Sequence, residues 1–125
     1  MTAFANLSNT WIEFTFPIVT TNSDNYLTVG HFVFHGTDRS GTPDLICVIG
    51  GMHDAGTVCG VRVYDHTNAK TIVERLDITA DSQTLVDLGT IGNLPTELAV
   101  WEIQVKRVSG NGTKKVAAGS LSVHY

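Results

Sequence analysis

Residues 93–108 read Asn-Leu-Pro-Thr-Glu-Leu-Ala-Val-Trp-Glu-Ile-Gln-Val-Lys-Arg-Val, the longest run in the chain whose order dictates one geometry. Trp101, Ile103 and Val105 alternate with Glu102, Gln104 and Lys106. A period of two is what a strand with one buried and one wet face requires, because successive side chains leave the backbone on opposite sides. Leu98 and Val100 share the face of Glu102 and Gln104, which predicts that the strand enters through a part of the sheet covered on both sides. Pro95 has no N–H to give a ladder and biases Leu94 toward extended backbone, so it marks the start. Ser109-Gly110-Asn111-Gly112 marks the end and predicts a tight hairpin, since glycine and asparagine accept positive φ.

Strand patterns continue on both sides of this stretch. Residues 10–16 set Ile12, Phe14 and Phe16 against Glu13 and Thr15 and predict a first strand ended by Pro17. A polar turn over 20–25 leads to a second strand over 26–35, with Leu27, Val29, His31 and Val33 on one face and Tyr26, Phe32 and Phe34 on the other. Residues 36–43 are a loop by composition. The apolar run 45–49 and the segment 57–64, where Val61 and Val63 face away from Arg62 and Tyr64, together predict a hairpin. Asp65-His66-Thr67-Asn68 is a turn, followed by shorter strands over 71–76 and 84–88; a helical turn competes only within 71–81. Residues 114–125 close the chain, with Leu121, Val123 and Tyr125 on the core face.

Strands separated by turn residues, without a sustained helical period, predict an all-β fold: a single antiparallel β-sandwich of about eight strands, jelly-roll or immunoglobulin-like, over residues 10–125. Residues 1–9 read as an N-terminal arm whose large apolar groups are Phe4 and Leu7.

Composition narrows the function classes. A chain of 125 residues is one domain. Its net charge of −4, with four lysines and four arginines scattered along the chain, argues against a nucleic-acid surface. No apolar run approaches the roughly 18 residues of a membrane span, and residues 1–10 lack the basic start and apolar centre of a secretory signal. Synthesis in a cytoplasm is expected, and with it free thiols at Cys47 and Cys59. Their placement on either side of the loop 50–56 also permits a cross-strand disulfide within a hairpin.

The chemistry-bearing residues favour bland readings. His31 and His35 share a strand face but lie roughly 13 Å apart, too far to share one ion. His53-Asp54 and Asp65-His66 sit in turns, where Asp bonds its own backbone. Asp38, Ser40 and Asp44 lack EF-hand spacing and the bidentate Glu. The triplets Asn6-Leu7-Ser8 and Asn111-Gly112-Thr113 matter only in a secreted protein. Walker, dinucleotide, nucleophile-elbow and paired Cys-x-x-Cys motifs are all missing, so no catalytic residue, metal site or cofactor is expected. The candidate partner contacts are the apolar and aromatic groups Phe4, Trp11 and Tyr64. Trp11 is placed on the wet side of the first strand with Glu13, and Tyr64 shares a face with Arg62.

The run Arg62-Val63-Tyr64-Asp65-His66-Thr67-Asn68, and again Asn93-Leu94-Pro95 followed by the Trp101 strand and its Gly-rich end, resembles small β-sandwich structural proteins of tailed bacterial viruses, namely capsid decoration (cement) proteins and fibre or receptor-binding modules. The resemblance covers roughly the second half of the chain and carries over no functional residue. It implies a non-enzymatic virion-surface protein that docks on the major capsid protein or another virion protein. Apolar groups on both faces of the second strand add an expectation of self-association as a dimer or trimer. A carbohydrate-binding (lectin-like) or receptor-binding fibre module is the alternative, with a glycan as partner.

Overall fold

The computed structural model describes residues 11–21, 23–34, 44–49, 58–79, 84–91, 95, 97–110 and 116–124. These are all-β, with no helix among them. The strands are β1 (Trp11–Thr21), β2 (Leu27–Phe34), β3 (Asp44–Ile49), β4 (Val58–Asp65), β5 (Lys70–Ile78), β6 (Thr84–Thr90), β7 (Ala99–Ser109) and β8 (Val116–His124). They form two four-stranded antiparallel sheets, ordered β1-β8-β3-β6 and β2-β7-β4-β5.

The pairing is nested. β1 pairs with β8, β2 with β7, β3 with β6 and β4 with β5, so the chain doubles back on itself about the turn between β4 and β5. Two more pairings, β3 with β8 and β4 with β7, fold that ribbon into its two sheets.

The turn is specified locally, by the aspartate expected to bind its own backbone. Asp65 is buried, and its carboxylate accepts from the Asn68 amide N–H at 2.9 Å and from Asn68 Nδ2 at 2.7 Å. Ala69 completes the reversal in the left-handed region, at φ 54°. The same turn is fastened to the start of β7: the His66 N–H donates to the Val100 carbonyl at 2.8 Å, and the Val100 N–H donates to Thr67 Oγ1 at 2.9 Å.

The core is built on β7. Trp101, Ile103 and Val105 are fully buried, and so are Cys59, Val61 and Val63 of the neighbouring β4. The Trp101 ring lies parallel to Phe34 at 3.8 Å between centroids and meets Phe32 edge-on at 6.3 Å. Phe32 in turn stacks at 4.0 Å on Phe14 of β1, a contact from one sheet to the other. Val86 and Leu88 of β6 belong to the same apolar cluster.

Several expectations are corrected. β1 continues through Pro17, because it is an edge strand and its register shifts between Thr15 and Val19, where a missing N–H removes no ladder bond. In β2 the register shifts between Thr28 and Gly30. The extra residue, Val29, is buried together with Phe32 and Phe34 and is parted from His31 and Val33, which are exposed. Residues before the shift therefore exchange faces relative to those after it, as a bulge demands.

The segments around Cys47 and Cys59 are not a hairpin. Cys47 stands between Val86 and Leu121 in one sheet, whereas Cys59 is in the other. Nor do β7 and β8 form one, since they too belong to different sheets; Gly110 does take the positive φ expected of it, at 100°. Of the stretch with helical competition, the residues through Ile78 belong to extended β5. Leu98 is 57% exposed, so the entry to β7 is open on that side. Gln104, placed on the wet face, is nonetheless buried.

Two outcomes are expected. Trp101→Ala should cost about 3–5 kcal/mol in denaturant titration, the range for deleting a buried aromatic ring. Its Nε1 is buried with no acceptor among the described residues, which lowers the net worth of the ring and favours the lower part of that range; a loss below about 1 kcal/mol would place Trp101 outside the core. Cys59 is a free, buried thiol pushed up to about 11 by burial. Native protein at pH near 8 should therefore leave Cys59 unalkylated until denaturant is added, and fast labelling of the native state would contradict its burial.

Candidate functional site

The outer face of the β2-β7-β4-β5 sheet gathers the polar and aromatic side chains that the core excludes. Alternation puts Arg62 and Tyr64 of β4 opposite Gln104 and Glu102 of β7, and Arg62 opposite Glu74 of β5. Tyr26, just before β2, lies across this face. It was expected beside Phe32 and Phe34, and the register shift at Val29 is what turns it to the other side.

Arg62 is the centre of the arrangement. Its guanidinium carbon lies 4.1 Å from the Tyr26 ring centroid and 4.6 Å from that of Tyr64, and Lys106 Nζ lies 4.6 Å from the Tyr26 centroid. Each such contact contributes on the order of 0.5–1 kcal/mol at a half-exposed site. Arg62 Nε donates to Gln104 Oε1. This fixes the amide orientation, and Gln104 Nε2 then donates to Glu102 Oε2 at 2.8 Å and Thr28 Oγ1 at 3.3 Å. At the far end the Tyr26 hydroxyl donates to Glu74 Oε2 at 2.6 Å. The network crosses all four strands, so it sets the direction of two cations and two carboxylates on a rigid surface.

Burial, then the hydrogen bond to Glu74 and that carboxylate's charge, push the Tyr26 phenol well above the ordinary tyrosine range; Arg62 opposes them. Near the turn, His66 Nδ1 stands 3.6 Å from Glu102 Oε1, and His31 is the cross-strand neighbour of Glu102. Among the described residues no group of three His, Cys, Asp or Glu side chains is placed to hold a metal ion.

Of the expected contact residues, Tyr64 belongs to this face, with one face of its ring covered by Arg62. Trp11 opens β1 opposite His124, in the other sheet. Phe4 lies outside the described residues, as do His35, Asp38, Ser40, His53, Asp54 and both Asn triplets. Tyr26, with Glu74 at its hydroxyl and Lys106 over its ring, was missed as a member of the Arg62 network. The network's signal in the sequence was the period-two run Glu102-x-Gln104-x-Lys106 opposite Arg62-x-Tyr64, legible only once the strand pairing is known.

No family model and no curated protein matches the sequence. Solved structures do match in fold. The chain superposes on the VP2 subviral particle protein of infectious bursal disease virus with a TM-score of 0.54 and 12% identity, over 90% of this chain and 32% of that one. For the T=1 particles derived from the same virus the values are 0.56 and 15%, over 90% and 30%. For the T13 viral particle they are 0.53 and 14%, over 93% and 31%. At such identity the likeness is one of fold, and the chain spans about a third of the length of those it matches.

The Tyr26 network has a pH signature. A folded-state value raised above the unfolded one gives stability that is whole below pH about 10 and is lost as pH climbs beyond it. Tyr26→Phe should therefore lose denaturant resistance less steeply than the parent above pH about 10, and the parent's native absorbance titration should show a late phenol that the variant lacks. Parallel pH profiles for the two proteins would refute the burial and bonding assigned to Tyr26.

Proposed function

We propose that this chain is a non-enzymatic structural protein of a virus particle, and that its two sheets close as a jelly-roll sandwich over residues 10–125. The observation that carries the reading is the strand order. Nested pairing of β1 with β8 through β4 with β5, split into β1-β8-β3-β6 and β2-β7-β4-β5, is the double Greek key of jelly rolls, a fold shared by capsid, lectin and cupin domains. An immunoglobulin-like order would put β1 beside β2 in one sheet, whereas here they lie in different sheets. The superposition on capsid-particle chains over nine-tenths of this chain supports the same reading. Those particles belong to infectious bursal disease virus, so they support a virion structural role and lend none to an origin in a tailed bacterial virus.

Within that role we favour a capsid decoration (cement) protein that docks on the capsid surface as an oligomer, with residues 1–9 as a docking arm. The carbohydrate-binding alternative has weaker support, because the Tyr64 ring that would stack on a sugar already carries a guanidinium on one face.

Immunogold labelling of intact, purified particles from the source of this sequence tests the role. An antibody against the chain should decorate the particle exterior. Absence of the chain from purified particles, combined with a glycan-array signal abolished by Tyr64→Ala, would replace this reading with the lectin-like one.

A further inference from the structure

The outer face of the β2-β7-β4-β5 sheet gives its carboxylates to neutral donors. Glu74 is the cross-strand neighbour of Arg62, yet it takes the Tyr26 hydroxyl at 2.6 Å. Glu102 takes Gln104 Nε2 at 2.8 Å and stands 3.6 Å from His66 Nδ1. Among the described residues neither Arg62 nor Lys106 forms an ion pair; the pairs are His66 with Glu102 and Arg75 with Asp77. Acidic residues outnumber basic ones in this chain, 12 to 8, so the two cations are not left over for want of carboxylates.

Arg62 is also held in one pose. Its guanidinium carbon lies 4.1 Å from the Tyr26 ring centroid and 4.6 Å from that of Tyr64, and its Nε donates to the buried Gln104. A guanidinium carries five N–H groups in one plane. With Nε occupied, the end formed by Nη1 and Nη2 makes no hydrogen bond among the described residues. A carboxylate fits that end with two parallel N–H···O bonds. Lys106 Nζ, 4.6 Å from the same Tyr26 centroid, adds a second positive charge, and both cations are half-buried rather than enclosed.

We propose that Arg62, supported by Lys106, is the docking site for an aspartate or glutamate side chain of a partner protein, and that Tyr26 keeps the site open by holding Glu74 away from Arg62. On the virion reading, on which this assignment rests, the partner is another protein of the particle. Charge selects the occupant. The two cations stand among Glu74, Glu102 and a surface of net −4, so each further negative charge on a ligand adds repulsion. A single carboxylate meets the least of it, and a phosphate dianion or a nucleic-acid backbone meets more. A neutral sugar is disfavoured, since both tyrosine rings that would stack on it already carry cations.

The test is an NMR titration of the ¹⁵N-labelled full chain over the millimolar range, read at the arginine Nε–Hε and backbone amide signals. The probes are acetyl-Gly-Ser-Glu-Ser-Gly-amide, its Gln counterpart, inorganic phosphate and a hyaluronan tetrasaccharide. The Glu peptide should give a saturable shift around Arg62 that weakens as salt rises, and the Gln peptide should give none. Arg62→Gln and Lys106→Gln should each weaken binding, by on the order of fivefold for one exposed charge pair, while Lys70→Gln, at an exposed cation beside the β4–β5 turn, should leave it unchanged. Tyr26→Phe should weaken binding although no cation is lost, and adding Glu74→Gln to that variant should restore it. Tighter binding of phosphate or of the tetrasaccharide than of the Glu peptide overturns the assignment, as does a shift that persists in Arg62→Gln. Full binding by Tyr26→Phe overturns the part given to Tyr26. No shift with the Glu peptide, for a chain that immunogold labelling places on the particles, leaves the virion reading standing while this contact falls.

Discussion

Everything in this fold depends on β7 being held between two partners. It is hydrogen-bonded to β2 on one side and β4 on the other, and its inward side chains Trp101, Ile103 and Val105 are fully enclosed. The aromatic contacts carry that constraint outward: Trp101 meets Phe34 and Phe32, and Phe32 meets Phe14 in the opposite sheet. One strand thus fixes both the lateral order of its own sheet and the contact between the two sheets. An indole N–H without an acceptor among the described residues is tolerated there because the ring surface buried around it is worth more than the one missing bond.

The nested pairing explains why a short turn matters so much. Every pair from β4 with β5 out to β1 with β8 is a successively longer chain closure, and closure entropy rises with the length of the loop. The turn at Asp65 is the cheapest closure, and it is specified by the carboxylate's two bonds to Asn68 and by the ties from His66 and Thr67 to Val100. Those ties put the start of β7 beside the turn, so the longest-range element of the sheet is registered against its most local one.

Local signals were legible and distant pairings were not. Alternation located β7 and the Val61, Val63 and Arg62, Tyr64 faces of β4, and turn chemistry located Asp65, because both depend on residues within a few positions of one another. The hairpin expected between β3 and β4 failed for the opposite reason: two adjacent apolar strands look like a hairpin in sequence, and only the pairing of β3 with β8 and β6 assigns them to separate sheets. Pro17 misled because proline ends a central strand but is tolerated at an edge, and edges are a property of the assembled sheet. Val29 misled because the lone Gly30 beside it, the one compositional sign of a bulge, was read as part of an unbroken strand, while the bulge reverses which side Tyr26 faces. That reversal hid the site: Tyr26 joins Arg62 and Glu74 only after residues 36 and 48 positions apart have been brought onto one face.

The surface that results joins exposed charges to a buried polar frame, and salt acts differently on the two. The Arg62 network on the sheet face is ionic and aromatic, and its exposed members act through fields that salt screens within about 10 Å at 0.1 M. Gln104, buried between Arg62, Glu102 and Thr28, keeps its bonds at any ordinary ionic strength, because buried groups are screened much less. A partner gripped by this face would therefore be held less tightly as ionic strength rises, while the frame of the network stays in place.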